Sequence, residues 1–143
     1  MTGIMIALIS GALMSIQGVF NTEVSKQTSL WVSNSWVQFS ALIVCLGAWL
    51  FKDRQSFGKL LQVNPKYLLL GGAIGAFITL TVMLSMKNLG PAQAALLIVV
   101  SQLAVAYVIE LFGWFGTEKA DFSWIKLGGM ALAVAGIVIF KWK

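Results

Sequence analysis

The sequence of 143 residues contains no histidine and a single cysteine, Cys45. Without histidine the chain lacks the commonest metal ligand and the usual general base near neutral pH. One thiol cannot form a disulfide within the chain, and the G-x-x-x-x-G-K-[ST] motif of P-loop ATPases is absent. Histidine-based zinc sites, Ser-His-Asp triads and Cys-His pairs are therefore excluded within one chain. We expect no enzyme activity, no metal site and no cofactor.

Charge is also scarce, since only 10 basic and 5 acidic residues are present and they make up 10% of the chain. A soluble domain carries about 25% charged residues. Hydrophobic residues reach 59%, which is typical of a membrane protein. The basic residues form no cluster denser than Lys52, Arg54 and Lys59, and they fall at the ends of apolar runs. We therefore expect membrane lipid, and not nucleic acid, as a partner despite the net charge of +5.

The charged residues separate five apolar runs. A helix of about 20 residues covers the roughly 30 Å hydrocarbon core, and helices satisfy their own backbone groups where no water is available. The fifth run reaches spanning length if it begins at Phe122 and Lys126 extends outward to the interface. The pattern predicts an all-α membrane protein, a single transmembrane domain over residues 1–143 with helices at about 3–21, 34–51, 67–87, 92–113 and 122–140.

The ends of the predicted helices carry residues typical of membrane boundaries. Tryptophan favours the membrane–water interface, and all six tryptophans lie close to these ends: Trp31, Trp36, Trp49, Trp114, Trp124 and Trp142. Between the third and fourth helices, Gly90 can end one helix and Pro91 can begin the next. The sequence predicts a tight antiparallel hairpin there.

Five spans place the two termini on opposite sides of the membrane. The Lys and Arg residues divide six to four between the sides: Lys52, Arg54, Lys59, Lys66, Lys119 and Lys126 on the N-terminal side, and Lys26, Lys87, Lys141 and Lys143 on the other. Under the positive-inside rule, this asymmetry gives only a weak bias toward one orientation of the chain in the membrane. The chain is expected either to insert in both orientations and form an antiparallel homodimer, as one repeat unit of an inverted-repeat transporter, or to insert N-terminus inside with a low bias. The charges favour neither.

Several amide side chains lie within the apolar runs. Gln17 and Asn21 share one face of the first helix, Asn34 and Gln38 are i, i+4 neighbours in the second, and Gln102 lies near the middle of the fourth. Amides are costly against lipid, so these faces are expected to point inward. Each amide either makes an interhelical hydrogen bond or binds a substrate, and the sequence leaves both interpretations open.

Glu110 is the only acidic residue inside an apolar run. An intramembrane carboxylate is a candidate for substrate binding or proton coupling, but Glu110 is only about one turn from the end of its helix and could reach interfacial water instead. Within one subunit Glu110 and Gln17 fall toward opposite leaflets. An inverted partner would bring its own Gln17 into the leaflet of this chain's Glu110.

Small residues recur at four-residue spacing on two helices. Gly71 and Gly75 do so on the third helix, and Gly129 and Gly136 belong to a similar row on the fifth. Such rows let helix backbones approach closely. We interpret these four glycines as helix-packing residues without a chemical role.

Taken in order, these segments resemble a known family. Residues 15–21 resemble its first-helix Gln-x-x-x-Asn pattern, with Gln17 and Asn21 in the two polar positions. Residues 39–47, residues 71–77, Leu89-Gly90 and the run from Ser101 to Gly113 follow in the family's order. The family is the half-size, five-helix YdcZ type of the drug/metabolite transporter superfamily, related to EamA-type transporters. The chain departs from it where Ser15 replaces a frequent proline and Glu110 a more frequent aspartate.

The resemblance implies a multi-pass protein of the bacterial inner membrane that transports a small molecule and works as paired five-helix units. The leading hypothesis is a secondary transporter or exporter of a small solute, coupled to protons through Glu110. The alternative is a non-transporting integral membrane subunit of a larger complex. Neither hypothesis identifies the substrate.

Overall fold

The computed structural model describes residues 1–141, and this part of the chain is built from helices and connecting turns without a β-strand. Trp142 and Lys143, counted above among the interfacial tryptophans and flanking charges, lie outside the described residues. The all-α prediction is confirmed. The five α-helices are α1 (Thr2–Gln27), α2 (Leu30–Ala48), α3 (Gly71–Leu89), α4 (Pro91–Phe112) and α5 (Trp124–Lys141).

Four of the helical segments are long and apolar enough to cross a membrane. Two of them gain length from a short extra turn, because α2 continues as π-helix to Asp53 and α3 is preceded by a 3₁₀ turn from Lys66. The apolar part of α5, Trp124–Phe140, is shorter. At 1.5 Å per residue it covers about 26 Å, so it nearly matches the hydrocarbon core.

The connection between α1 and α2 is much shorter than the sequence indicated. α1 continues past the predicted end at residue 21 to Gln27, and α2 begins at Leu30 instead of residue 34. The charged residues that suggested a loop lie within α1, where Lys26 and Glu23 form a 2.6 Å ion pair one turn apart. Ser29 caps α2 by accepting a hydrogen bond of 3.2 Å from the backbone N–H of Val32. Two residues therefore suffice for the turn.

The junction of α3 and α4 follows the sequence prediction closely. α3 ends at Leu89, Gly90 has a φ of 82°, and Pro91 occupies the first position of α4. Glycine tolerates this positive φ, and proline has no N–H to lose at a helix start. The chain divides at this point into two compact units, Met1–Asn88 and Leu89–Lys143. The tight hairpin of α3 and α4 stays a prediction.

Few side chains are buried in either unit. In the first unit Met83 and Ser33 are fully buried, and Met86 and Asn34 are nearly so. In the second unit the buried side chains include Tyr107 and Ile137. Most other apolar side chains are exposed, as expected for helices that lie against lipid hydrocarbon.

Candidate functional site

The polar interior of the first unit begins on one face of α2. Ser33, Asn34 and Val37 are the buried residues of this helix, and their spacing of one, three and four residues places them on a single stripe. The Ser29 cap fixes where the helix begins. It therefore brings Asn34 into the first turns of α2, where its side chain faces the other helices of the unit.

Asn34 is 5% exposed and reaches α3. Its Nδ2 donates a hydrogen bond of 3.1 Å to the backbone carbonyl of Ala76. Because a carbonyl can only accept, this contact fixes which end of the amide faces α3. The other end, Oδ1, is buried and accepts no hydrogen bond from any described residue.

Gln38 makes a second bridge from α2 to α3, one helical turn from Asn34. Its Nε2 donates to the hydroxyl of Thr79 at 3.3 Å, and that hydroxyl donates to the carbonyl of Gly75 at 3.0 Å. The two amides that the sequence placed on one face of α2 thus both bond to α3. Gln38 is only half-buried, so Asn34 is the deeper of the two.

Hydroxyl groups join α1 to this cluster and extend it along α1. Ser33 donates to the backbone carbonyl of Asn21 at 2.9 Å. Within α1, Thr22 donates to the carbonyl of Gly18 at 2.7 Å, and Ser25 donates to the carbonyl of Thr22 at 2.7 Å. Each of these hydroxyl protons is therefore held by a backbone carbonyl. Asn21 takes part through its backbone oxygen, and its side chain is half-buried.

The end of the Met86 side chain on α3 lies against Gly18 of α1. A Cβ at this position would lie 2.5 Å from Cε and 2.8 Å from Sδ of Met86, and 3.3 Å from Cγ1 of Val82. The missing side chain of Gly18 thus makes room for the end of Met86. This contact and the hydrogen bonds of Asn34 and Ser33 hold the three helices of the first unit together.

The sequence predicts that Gln17 and Gln102 point inward. Both are exposed in the described chain. Gln17 lies on α1 and Gln102 on α4. Neither side chain forms a hydrogen bond with any residue from 1 to 141.

Glu110 lies in the last turn of α4, at the end of the second unit where α4 and α5 meet. Its Oε2 is 3.5 Å from Nζ of Lys126, and both side chains are about half exposed. Lys126 Nζ also lies 5.4 Å from the centre of the Tyr107 ring. The Tyr107 hydroxyl accepts a hydrogen bond of 2.8 Å from the backbone N–H of Ser123, the residue before α5. Glu110 thus has a counter-charge on α5, and about half of its side chain is exposed.

The four glycines expected to pack helices make no close contact in the described chain. A Cβ added at Gly71, Gly75, Gly129 or Gly136 would meet no atom within 4 Å. These rows are therefore open faces, whereas Gly18 lies against the side chains of Met86 and Val82.

A comparison with protein families decides what kind of protein carries this arrangement. The family model described as "Putative inner membrane exporter, YdcZ" matches residues 2–139. The chain belongs to the YdcZ family. Its placement among drug/metabolite transporters agrees with this match. No curated protein and no solved structure matches the chain.

Membership of the YdcZ family places the helices in the inner membrane. The protein is a multi-pass protein of the inner membrane with a transporter or exporter role. The exposed apolar surface of its five helices is therefore the surface that meets lipid or other protein. The buried amides and hydroxyls of the first unit lie within membrane-spanning helices.

Sequence reasoning missed several residues of this YdcZ-family site. Thr22 and Ser25 follow Gly18 at four and seven residues, a spacing that places all three on one face of α1. Tyr107 and Lys126 are the partners of Ser123 and Glu110. A count of three small or polar residues on one face of α1 was the available signal. Nothing in the sequence alone pairs Lys126 with Glu110.

The described residues hold no group of three or more cysteine, aspartate or glutamate side chains that could bind a metal ion. Cys45 is exposed on α2 and has no basic partner in this part of the chain. The candidate site residues offer hydrogen bonding by amides and hydroxyls, and one carboxylate, Glu110, lies at the end of α4.

Proposed function

We propose that this YdcZ-family protein exports a small solute as an antiparallel homodimer of five-helix units and exchanges it for protons at Glu110. The observation that carries this proposal is the exposure of Gln17 and Gln102 on spanning helices, without a partner in the described chain. An amide facing hydrocarbon lacks the hydrogen bonds that water would give it. A second copy supplies a polar surface for both.

The low burial of the spans supports the same conclusion. In each of the four long spans, 6% of the most apolar window is buried within the chain. Spans with this little burial leave most of their surface free to pack against other helices. The open glycine rows of α3 and α5 offer surfaces on which helices of a second copy can pack closely.

The charge distribution is compatible with an inverted arrangement of the two copies. The six-to-four division of Lys and Arg between the two sides gives little bias toward either orientation. In an inverted pair, the Gln17 and Asn21 of one copy share a leaflet with Glu110 of the other. Two equivalent sites result, each with one carboxylate and several amides, in the manner of inverted-repeat transporters.

The Glu110–Lys126 contact supports a role in exchange. At 3.5 Å and half-exposed, an ion pair of this kind is worth about 1 kcal/mol or less. A proton or a cationic substrate can therefore displace Lys126 at little cost. Competition between the two for one carboxylate couples their movements in opposite directions.

Cysteine labelling tests the orientation. Single-cysteine variants Gln62→Cys and Glu118→Cys, in a Cys45→Ala background, occupy exposed connections on the N-terminal side. In cells, a membrane-impermeant maleimide should label about half of each variant, and permeabilisation should expose the rest. Labelling that is complete or absent before permeabilisation would contradict the antiparallel dimer.

Transport is tested with a mixture of candidate solutes in place of a single substrate. Liposomes that hold only this protein are loaded with a defined mixture of metabolites, and an inward proton gradient is applied. Mass spectrometry of the outside solution should show selective release of one solute class, compared with protein-free liposomes. No release by the protein alone, together with a partner protein recovered in stoichiometric amount, would instead favour a subunit of a larger complex.

A further inference from the structure

We infer that the α1–α2–α3 unit binds the N–H groups of an alkylammonium ligand through Oδ1 of Asn34. This inference rests on the proposed function, because the ligand is taken to be the headgroup of the exported solute. It names the chemical class of that solute and the atom that recognises it.

Asn34 has a buried acceptor, Oδ1, that no described residue uses. Its side chain is 95% buried, and its Nδ2 is held by the carbonyl of Ala76 at 3.1 Å. The amide cannot turn over without placing oxygen against oxygen, so Oδ1 stays where it is. That oxygen has no donor among the described residues, whereas buried side-chain oxygens are almost always hydrogen-bonded.

The neighbouring hydroxyl groups direct their protons at backbone carbonyls and not at Asn34. Ser33 donates to the carbonyl of Asn21, Thr22 to that of Gly18, and Thr79 to that of Gly75. None of these three hydroxyls donates to Oδ1 of Asn34 in the described chain. The interior of the unit is therefore rich in acceptors, and its deepest free atom calls for a donor from outside the chain.

The chemistry of the free acceptor favours an ammonium group as the ligand. An ammonium group carries only donors, whereas water or an alcohol also brings acceptor lone pairs into a site that already has an excess of them. Oxygen dipoles of carbonyl groups also stabilise cations. In the inverted dimer the carboxylate of the second copy's Glu110 shares this leaflet and balances the positive charge. A primary alkylammonium ion meets all three conditions.

Two isomeric cations separate hydrogen-bond donation from charge and size. tert-Butylammonium and tetramethylammonium have the same atoms and the same single charge at neutral pH, but the first has three N–H donors and the second has none. Binding of each to the unaltered protein in lipid nanodiscs is measured by calorimetry. We expect tert-butylammonium to bind at least tenfold more tightly. Equal affinities, or no binding of either ion, would overturn the inference and leave a buried water as the partner of Asn34.

Two variants then assign the preference to one side chain. Asn34→Leu keeps the approximate volume and removes the whole amide, both Oδ1 and the Nδ2 bond to Ala76, so the preference for tert-butylammonium should disappear. Ser40→Ala removes a hydroxyl of α2 that lies outside this cluster and donates to the carbonyl of Val37, and it should keep the preference. If Asn34→Leu retains the tenfold preference, the site lies elsewhere and the inference is wrong. The isomer comparison in the unaltered protein decides the matter even if a variant fails to fold.

The outcome is distinguishable from failure of the proposed function. Selective solute release from liposomes without a preference between the two isomers would leave the transporter in place and remove Asn34 as its ammonium site. A clear preference without release would leave the binding site in place and remove the transport proposal.

Discussion

In α1–α3 the hydrogen bonds between helices are made by buried or half-buried side chains, whereas in α4 and α5 the polar contacts between helices lie near the ends of the two helices. Asn34 and Ser33 are enclosed in the first unit. In the second unit, Glu110 and Lys126 are half exposed, and the Tyr107 hydroxyl bonds the backbone just before α5. The first unit thus buries polar atoms, which is expensive in a membrane. The second unit uses them to fix helix ends.

The difference suggests a division of labour within one chain. A buried oxygen without a donor has no value for stability, because its desolvation is uncompensated, and it is better explained by a ligand. Helix-end contacts such as those of Tyr107 hold α4 and α5 together and leave Glu110 open to solvent. The first unit is therefore the place to look for recognition, and the second for coupling.

The largest expected effect is on coupling, in Glu110→Gln. The substitution preserves size and removes the charge that a proton and a substrate compete for. Proton-driven release of solute from liposomes should be abolished, while expression and dimerisation are unchanged. Glu23→Gln is the matched control, since Glu23 is also an exposed glutamate beside a lysine, and it should release solute as the unaltered protein does. If solute release by Glu110→Gln still depended on the proton gradient, Glu110 would not be the coupling residue, and the assignment of coupling to the second unit would be wrong.

A second test compares two glycines of α1. Gly18→Ala inserts a methyl group against Met86, whereas Gly11→Ala meets no atom within 4 Å. Both changes gain the same helix propensity, so their difference isolates the packing at Gly18. Overpacking costs about 1–3 kcal/mol, and because the nearest atoms are the flexible end of Met86, Gly18→Ala should unfold more easily in detergent by an amount near the lower end of this range. If the two variants unfold alike, the contact of Met86 with Gly18 does not help to hold the first unit.

In the second unit, Tyr107→Phe removes the acceptor of the Ser123 N–H at 2.8 Å. A partly buried donor left unpaired costs about 1–2 kcal/mol. The midpoint of SDS-induced unfolding should fall accordingly, and hydrogen exchange should accelerate at the start of α5. Faster exchange spread evenly over α1–α3 as well would show that the two units do not unfold separately.

The smallest effect is expected for Lys126→Met, which removes the partner of Glu110 and keeps an apolar stem. Because the pair is half-exposed at 3.5 Å, its loss should change the free energy of unfolding by less than about 1 kcal/mol. Solute release should persist. A loss as large as that of Tyr107→Phe would mean that charge, and not the tyrosine hydroxyl, fastens α4 to α5.

The course of the helices was largely readable from the sequence, because hydrophobic length and the Gly90-Pro91 pair act locally. The end of α1 was not, since Glu23 and Lys26 suggested a loop and instead pair on the helix surface. Whether an ion pair continues a helix or a charge ends it depends on where the membrane surface lies, and composition does not supply that position.

The site was predictable only in part. The i, i+4 spacing of Asn34 and Gln38 correctly placed both amides on one face of α2. Their partner on α3 could not be found, because the carbonyl of Ala76 is a backbone group that every residue carries. The free oxygen of Asn34 is likewise a property of three helices together, and no single helix pattern encodes it.

The contact between Gly18 and Met86 also predicts how positions 18 and 86 vary among relatives of this protein. The length of the side chain at position 86 depends on the absence of one at position 18, since a Cβ there would lie 2.5 Å from the methionine methyl. Relatives that carry alanine or serine at position 18 should therefore have a shorter residue at position 86. The two positions are expected to covary as a pair, and in such relatives the covariation would record the packing of α1 on α3.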